Sequence, residues 1–505
     1  MSKPVKIVIV GGGTAGWMAA NLFAKQWSTK QVQVVLVESP EVGIIGVGEG
    51  STPTLKRFFE MLNISENEWM PQCNATYKMS IRFDDWSPKS GINSYSHPFT
   101  SQIDTFTSRA FLVNGRTRRL GLEVNTKPAD FLINGVLAKQ GKGPLTPENF
   151  PFKMEYGYHF DSNLLGTFLA GFAASKGIAH KKAHVEQVER ANNGDISAIV
   201  TRDGEVIKGD FFVDCTGFSA LLIQKTLGVK FNAYKDNLFN DSAVVMPTTI
   251  SENIPVETVS SALSAGWCWK IPLTNRFGNG YVYSSDFISA DNAETELRAH
   301  LGCLETDIEA RHLKMNVGSL EKHWSHNCLA LGLSQGFIEP LEATALHLVQ
   351  LCIEMFITKF EQEGLNSLTA RHKVRSEYNV LVKERFERVR DYIVAHYKLN
   401  TRDYSDYWRA NRENQHLSDS LLHILDVWYK REDLATEIER QGLNNHFDAV
   451  SWQCLLGGYG AFPPLSPNQP NKGDLYDEQN IQQFLQGCSL NFLSHQQNID
   501  RLQSD

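Results

Sequence analysis

The chain has 505 residues, of which 42% are hydrophobic and 21% charged, with a formal net charge of -8. That length exceeds one simple core and suits two closely packed domains, and the composition is that of a globular protein, which excludes a disordered chain. The acidic balance leaves no electrostatic footprint for nucleic acid or an anionic membrane, and no run of about 18 apolar residues predicts a membrane span, so the expected partner is a small molecule.

Lysines ahead of an apolar run invite a signal-peptide reading of the N-terminus, but regularly placed glycines interrupt the run and no small-residue cleavage site stands out. Val5 to Val10 is apolar and β-branched except at Lys6, the pattern of a strand buried on both faces. Gly11 to Gly16 makes a turn, Ala15 to about Lys25 carries helical periodicity, and Val32 to Val37 is a second buried strand, completing a βαβ opening. Ile196 to Thr201 and Glu205 to Lys208 predict a hairpin across a two-residue Asp203-Gly204 turn, and Phe211 to Asp214 returns as a strand. From about Leu346 the pattern turns helical, with Leu346, Val349, Ile353, Phe356 and Phe360 on one face and a second amphipathic stretch from about Tyr378 to Tyr397. Pro463 to Gly473 predicts a loop. The expected division is residues 1–345 and a mainly helical 346–505. Eight cysteines stand singly, without a C-x-x-C pair or metal-ligand spacing, so a metal site is not expected and a reduced, cytoplasmic setting is.

Gly11, Gly13 and Gly16, with Thr14 and Ala15 between the last two, stand in G-x-G-x-x-G spacing after a strand and at the opening of a helix. Such glycines permit a tight turn, close approach of backbone to a pyrophosphate, and close packing of helix on strand. Glu38, at the end of the second strand, is the acid expected to bind ribose hydroxyls. The motif alone leaves FAD and NAD both open. A second glycine turn follows at Gly46-Val47-Gly48-Glu49-Gly50, and the segments Asp214 to Gly217 and Gly332-Leu333-Ser334 supply further close-approach glycines. Any one of these is compatible with a plain loop. Together they resemble the FAD fold shared by flavin monooxygenases and halogenases. No second G-x-G-x-x-G stands in strand and helix context, so reduced flavin is expected from a separate flavin reductase.

Trp267, Trp269, Ile271 and Pro272 in GWCWKIPL would serve equally in a core strand, but beside GGGTAGW they resemble the W-x-W-x-I-P signature of flavin-dependent tryptophan halogenases. Ala330 to Leu346, ALGLSQGFIEPLEATAL, is similar to the family's G-F-x-E-P-L-E-S-T-G segment, with Ala343 and Ala345 in place of its usual Ser and Gly. The resemblance implies that Glu342 is the catalytic glutamate and that amides of a helix starting near Leu341, at Thr344 and Ala345, bind halide; the methyl of Ala345 bears on halide size. Lys78, in YKMSIRF, falls at the family's catalytic lysine, although without the resemblance a lysine there reads as solvated loop. His97 and Phe99 match its substrate-pocket segment, while Tyr158 to Asp161 and Arg390 to Trp408 look family-like with no assigned role.

The resemblance runs from Gly11 to about Pro464. It implies an α/β FAD-binding fold, Rossmann-like and of the glutathione-reductase/flavin-monooxygenase type, with a mainly α-helical C-terminal substrate-binding region. It also implies reduced FAD (FADH2), chloride or bromide as halide, a monomer or homodimer, and hypohalous acid relayed to Lys78 to halogenate an electron-rich aromatic ring. Trp267 and Trp269 would keep flavin and substrate apart. A flavin monooxygenase and a non-catalytic FAD-binding protein are the alternatives. Family members acting on free tryptophan carry a lid of the type F-Y-x-x-F-E-E-Y-W; Leu434 to Trp452 lacks its paired tyrosines, so an indole or larger indole-bearing substrate is expected over the free amino acid.

Overall fold

The computed structural model describes residues 3–43, 47–362, 371–470 and 478–504; Gly46 and Gly473 of the segments above lie outside them. The N-terminal strand Val5–Val10 is central in a six-stranded sheet, parallel to Val32–Glu38 on one side and Phe211–Asp214 on the other. Its side chains are buried on both faces except at Lys6, as its near-continuous apolar run requires. The helix Thr14–Gln26 covers one face. Helix Ala345–Gln362 packs beside it through Phe356, whose ring lies 5.7 Å from Phe23 and 5.1 Å from Phe211. The apolar interior is thus continuous across residue 345.

A second sheet of seven strands runs in the order Arg311–Lys314, Ser242–Thr248, Phe277–Tyr283, Gly266–Pro272, Glu257–Leu263, Ser80–Ser87, Ile92–Pro98. Against it sits a small sheet in which Gly157–Asp161 lies between Gly48–Gly50 and Thr76–Lys78. Strand alternation gives this small sheet two distinct faces. On one, Tyr77 and Tyr158 both donate their hydroxyls to Glu66 at 2.7 Å, and Tyr156 adds a third at 2.9 Å. The other carries Thr76, Lys78 and His159.

The C-terminal third is helical, led by Arg371–Lys398, and no helix among the described residues is long and apolar enough to cross a membrane. Three expectations need correction. The Ile196–Thr201 hairpin closes through three residues, not two: only Gly204 has positive φ (81°), and Glu205 O accepts from Thr201 N at 2.9 Å, the geometry of a turn followed by a bulge. Lys78 lies in a strand and is fully buried, not in an exposed loop. The helix expected from Leu341 starts at Ala345 instead, because Ala343 adopts φ 54° and closes a turn onto Pro340 O at 3.0 Å, and a left-handed residue cannot continue a right-handed helix.

Candidate active site

The carboxyl ends of the central strands converge. Gly11 has φ 112°, and a Cβ there would meet Cys215 O at 2.1 Å; a Cβ on Gly16 would meet Gly11 O at 2.1 Å. Those two positions admit only glycine, since strand, helix and the Asp214 turn touch through them. Gly13 is different: nothing lies within 4 Å of its Cβ direction, so its backbone faces open space at the helix N-terminus. Gly217 opens the same way. Its turn is built by Asp214, which accepts from the amides of Thr216, Leu222 and Ile223 at 3.0, 2.8 and 2.8 Å. The Gly332–Ser334 turn, which includes Leu333, packs onto Ala15 next to Thr14 and is held by Leu331 N donating to Asp214 O at 3.0 Å. Glu38 ends its strand with Oε2 2.9 Å from His180 Nε2 and its chain folded against Gly12. An open cradle ringed by backbone, a helix N-terminus and a strand-end acid fits a dinucleotide such as FAD. Gly48 packs against Gly278 and Ile271, and half-buried Glu49 has its carboxyl pushed up to about 7, first by burial and then by Asp161, against a lowering bond from Ser162.

A second group of side chains is buried around Lys78 and Glu342. Lys78 Nζ makes no hydrogen bond to any described residue and stands 5.4 Å from the Phe99 ring centroid. Burial pushes its amine down to about 7, while the charge of Glu342 works in the opposite direction. Glu342 sits in the turn before helix Ala345–Gln362, 5% exposed. One of its oxygens, Oε1, lies 2.9 Å from His396 Nε2 and 3.4 Å from His97 Nδ1. Burial would raise this carboxyl, but the two histidines hold it down at about 2. His396 is itself lowered by burial, and its Nδ1 lies 3.0 Å from the Tyr459 hydroxyl. The neutral ring therefore donates from Nε2 to the carboxylate and accepts from Tyr459 at Nδ1, which fixes the orientation of Glu342. Thr344 and Ala345 follow at the start of the helix, where amides lack intrahelical acceptors and suit an anion.

Trp267 and Trp269 project from one face of Gly266–Pro272, ring centroids 6.0 Å apart. Trp269 lies flat over Gly280, where a Cβ would strike the indole at 2.2 Å. Trp267 Nε1 donates to Glu339 Oε2 at 2.8 Å; the same oxygen accepts from Asn240 Nδ2 at 2.9 Å and from the Tyr397 hydroxyl. Burial pushes the Glu339 carboxyl up, against these bonds. Glu339, His396 and Tyr459 escaped the sequence reading. The first lies inside the quoted G-F-I-E-P-L-E segment and the second inside Arg390 to Trp408, so a signal existed for both, but no role attached to it.

The sequence model of the tryptophan halogenase family matches residues 6–470. Among curated proteins, the tryptophan 6-halogenase SttH of Streptomyces toxytricini is 37% identical over 448 residues, 84% of each chain. The 7-chloro-L-tryptophan 6-halogenase KtzR of Kutzneria sp. (strain 744) is 36% identical over 90% of each. The crystal structure of SttH superposes with a TM-score of 0.84, covering 98% of this chain and 100% of that one at 34% identity. A dinucleotide cradle of Rossmann type, a buried lysine and a buried glutamate, and likeness over nearly the full length lead to one conclusion: the chain belongs to the flavin-dependent tryptophan halogenase family and is an enzyme of that class.

Proposed function

We propose that this enzyme chlorinates or brominates an indole-type aromatic ring at a site built around Lys78 and Glu342. The observation that carries the reading is a buried lysine amine with no hydrogen bond among the described residues, within the electrostatic reach of a buried carboxylate oriented by two histidines. Reduced FAD, held by Gly11, Gly13, Thr14, Ala15, Gly16, Glu38, Gly48, Glu49, Gly217, Gly332 and Leu333 and supplied by a separate reductase, would furnish hypohalous acid from oxygen and a halide at Thr344 and Ala345. Lys78 would receive the oxidant and aim the halogen at one ring carbon. Glu342, with Oε1 engaged by the histidines, would use Oε2 to take the ring proton after addition. His97 and Phe99 would hold the flat substrate, and Trp267 and Trp269 would bar direct contact of ring and flavin.

The substrate follows from the lid segment. Leu434–Arg440 and Ala449–Gly458 form two helices at which three carboxylates are already committed: Asp433 and Asp448 cap them through Thr436 N and Ser451 N, and Glu437 binds Arg440 at 2.7 Å. Those carboxylates are therefore engaged away from an ammonium group, which favours indole or a larger indole-bearing molecule over free tryptophan. The test combines the protein with a flavin reductase, NADH, FAD and chloride or bromide, and reads halogen isotope patterns by mass spectrometry with indole and tryptophan competing in one vessel. A product carrying oxygen instead of halogen would defeat the reading. A higher specificity constant for tryptophan would defeat the substrate assignment alone.

A further inference from the structure

We infer that Thr258 is a positioning residue for Lys78, an acceptor whose hydroxyl proton is locked away from the lysine by a chain of hydrogen bonds through His159 and Thr76. The inference rests on the reading above, in which Lys78 handles the oxidant. The polarity of the chain follows from its far end. Thr76 Oγ1 lies 2.7 Å from Pro272 O, in the W-x-W-x-I-P strand, and 3.1 Å from His159 Nδ1. A carbonyl only accepts, so the single hydroxyl proton of Thr76 goes to Pro272, and Thr76 Oγ1 accepts from His159. His159 therefore carries its proton on Nδ1. It is fully buried, and both burial and the charge of Lys78 hold the ring neutral, so Nε2 presents a bare lone pair. That atom lies 3.0 Å from Thr258 Oγ1, which must donate to it. Thr258 is left with lone pairs only for whatever else it meets.

What it faces, across one small space, is the lysine. The position that a Cβ would take on Gly50 is 3.2 Å from Lys78 Nζ and 3.3 Å from Thr258 Oγ1, so both atoms border one small space. Lys78 Nζ makes no hydrogen bond to any described residue as it stands, Thr258 included, so a small rotation of the lysine chain is what would bring the amine onto Thr258, which is 8% exposed. All three strands contribute by register: Thr76 and Lys78 share a face two residues apart, His159 pairs directly with both Thr76 and Gly50, and Thr258 pairs with Ile81 in the neighbouring sheet. An acceptor of fixed polarity draws a Lys78 N–H toward Gly50 and sets the direction of the remaining amine valences. A freely rotating hydroxyl would present lone pair and proton alternately and hold the amine in no single pose.

The experiment compares Thr258→Val, which keeps the shape and removes the oxygen, with Thr258→Ser and His159→Leu. The halogenated product formed per flavin oxidised should fall about tenfold to a hundredfold in Thr258→Val and in His159→Leu, the worth of a hydrogen bond to a charged group, and stay near wild type in Thr258→Ser. FAD affinity, measured alongside, should hold in all three. A contact readout separate from activity is the titration of Lys78 itself, followed by NMR of lysine labelled at Cε, with Glu342 and His159 as its other titratable neighbours. Loss of the acceptor removes support for the ammonium form, so the Lys78 midpoint should move down by about one pH unit in Thr258→Val and not in Thr258→Ser. Unchanged coupling and an unchanged midpoint in Thr258→Val overturn the inference, as does a Ser variant as impaired as Val. If Thr258→Val does not fold, His159→Leu against wild type decides by the same two measurements. A midpoint that moves as expected in a protein making no halogenated product from any substrate would instead defeat the proposed function and leave the contact standing.

Discussion

The buried lysine should be a burden on the fold, and its size follows from its environment. Burial lowers the Lys78 amine from 10.5 to about 7. At ~1.4 kcal/mol per pH unit that displacement corresponds to about 5 kcal/mol, a ceiling because protein interiors relax around a charge. Between these two values the unfolded chain binds more protons than the folded one, so stability rises with pH from 7 toward 10.5; below 7 both states are charged and the full penalty stands. Lys78→Met keeps an unbranched chain of similar length, removes the charge, and leaves Glu342 paired with its two histidines. Urea unfolding of the flavin-free protein at pH 6 should therefore show the variant more stable by about 2 kcal/mol or more, with the gap closing as pH climbs above 7. The same variant should reoxidise reduced flavin and release no halogenated product, so a stabilised fold and a lost function would arise from one side chain. A variant less stable than wild type, or a gap that does not change with pH, would refute the reasoning that the lysine is held in a dry site.

Gly13→Val should abolish FAD binding while changing stability by less than about 1 kcal/mol, because its φ of -72° suits any residue and its Cβ meets only open space; Gly16→Ala should cost more than about 2 kcal/mol, and equal costs in the two would refute the distinction. Glu342→Gln should slow halogenation about a hundredfold at unchanged FAD affinity, measured by flavin titration, and loss of binding would move Glu342 to a structural role. With its carboxyl held at about 2 against an ordinary 4.5, Glu342 contributes stability that is complete above 4.5 and lost as pH falls through 2. Glu339→Leu strands the Trp267 indole N–H, Asn240 and the Tyr397 hydroxyl without their acceptor, and should destabilise the protein by about 3 kcal/mol in urea; a cost below about 0.5 kcal/mol would mean that other groups take over. The purified protein should consume no NADH unless a reductase is added, and steady consumption without one would reveal a nicotinamide site that the single G-x-G-x-x-G does not predict.

The sequence by itself determined what depends on local chemistry. The βαβ opening was legible because a buried parallel strand needs an unbroken apolar run and a tight turn needs glycine, and the helices at Ala345–Gln362 and Arg371–Lys398 because their apolar residues recur every three or four positions. Family resemblance pointed to Lys78 and Glu342 but could not supply their surroundings. Only the tertiary structure decided that Lys78 is buried: its spacing matches a solvated lysine, and its dryness comes from a strand register that sets it beside Gly50, Phe99 and Thr258. The partners of Glu342 stand 54 and 245 residues away in the chain, at His396 and His97, and no periodicity links such positions. The left-handed Ala343 likewise moved the helix start to Ala345 against good local helix propensity. Turns and periodic faces are encoded within a few residues, whereas the electrostatics of a buried group is a sum over whatever the fold brings within hydrogen-bonding range.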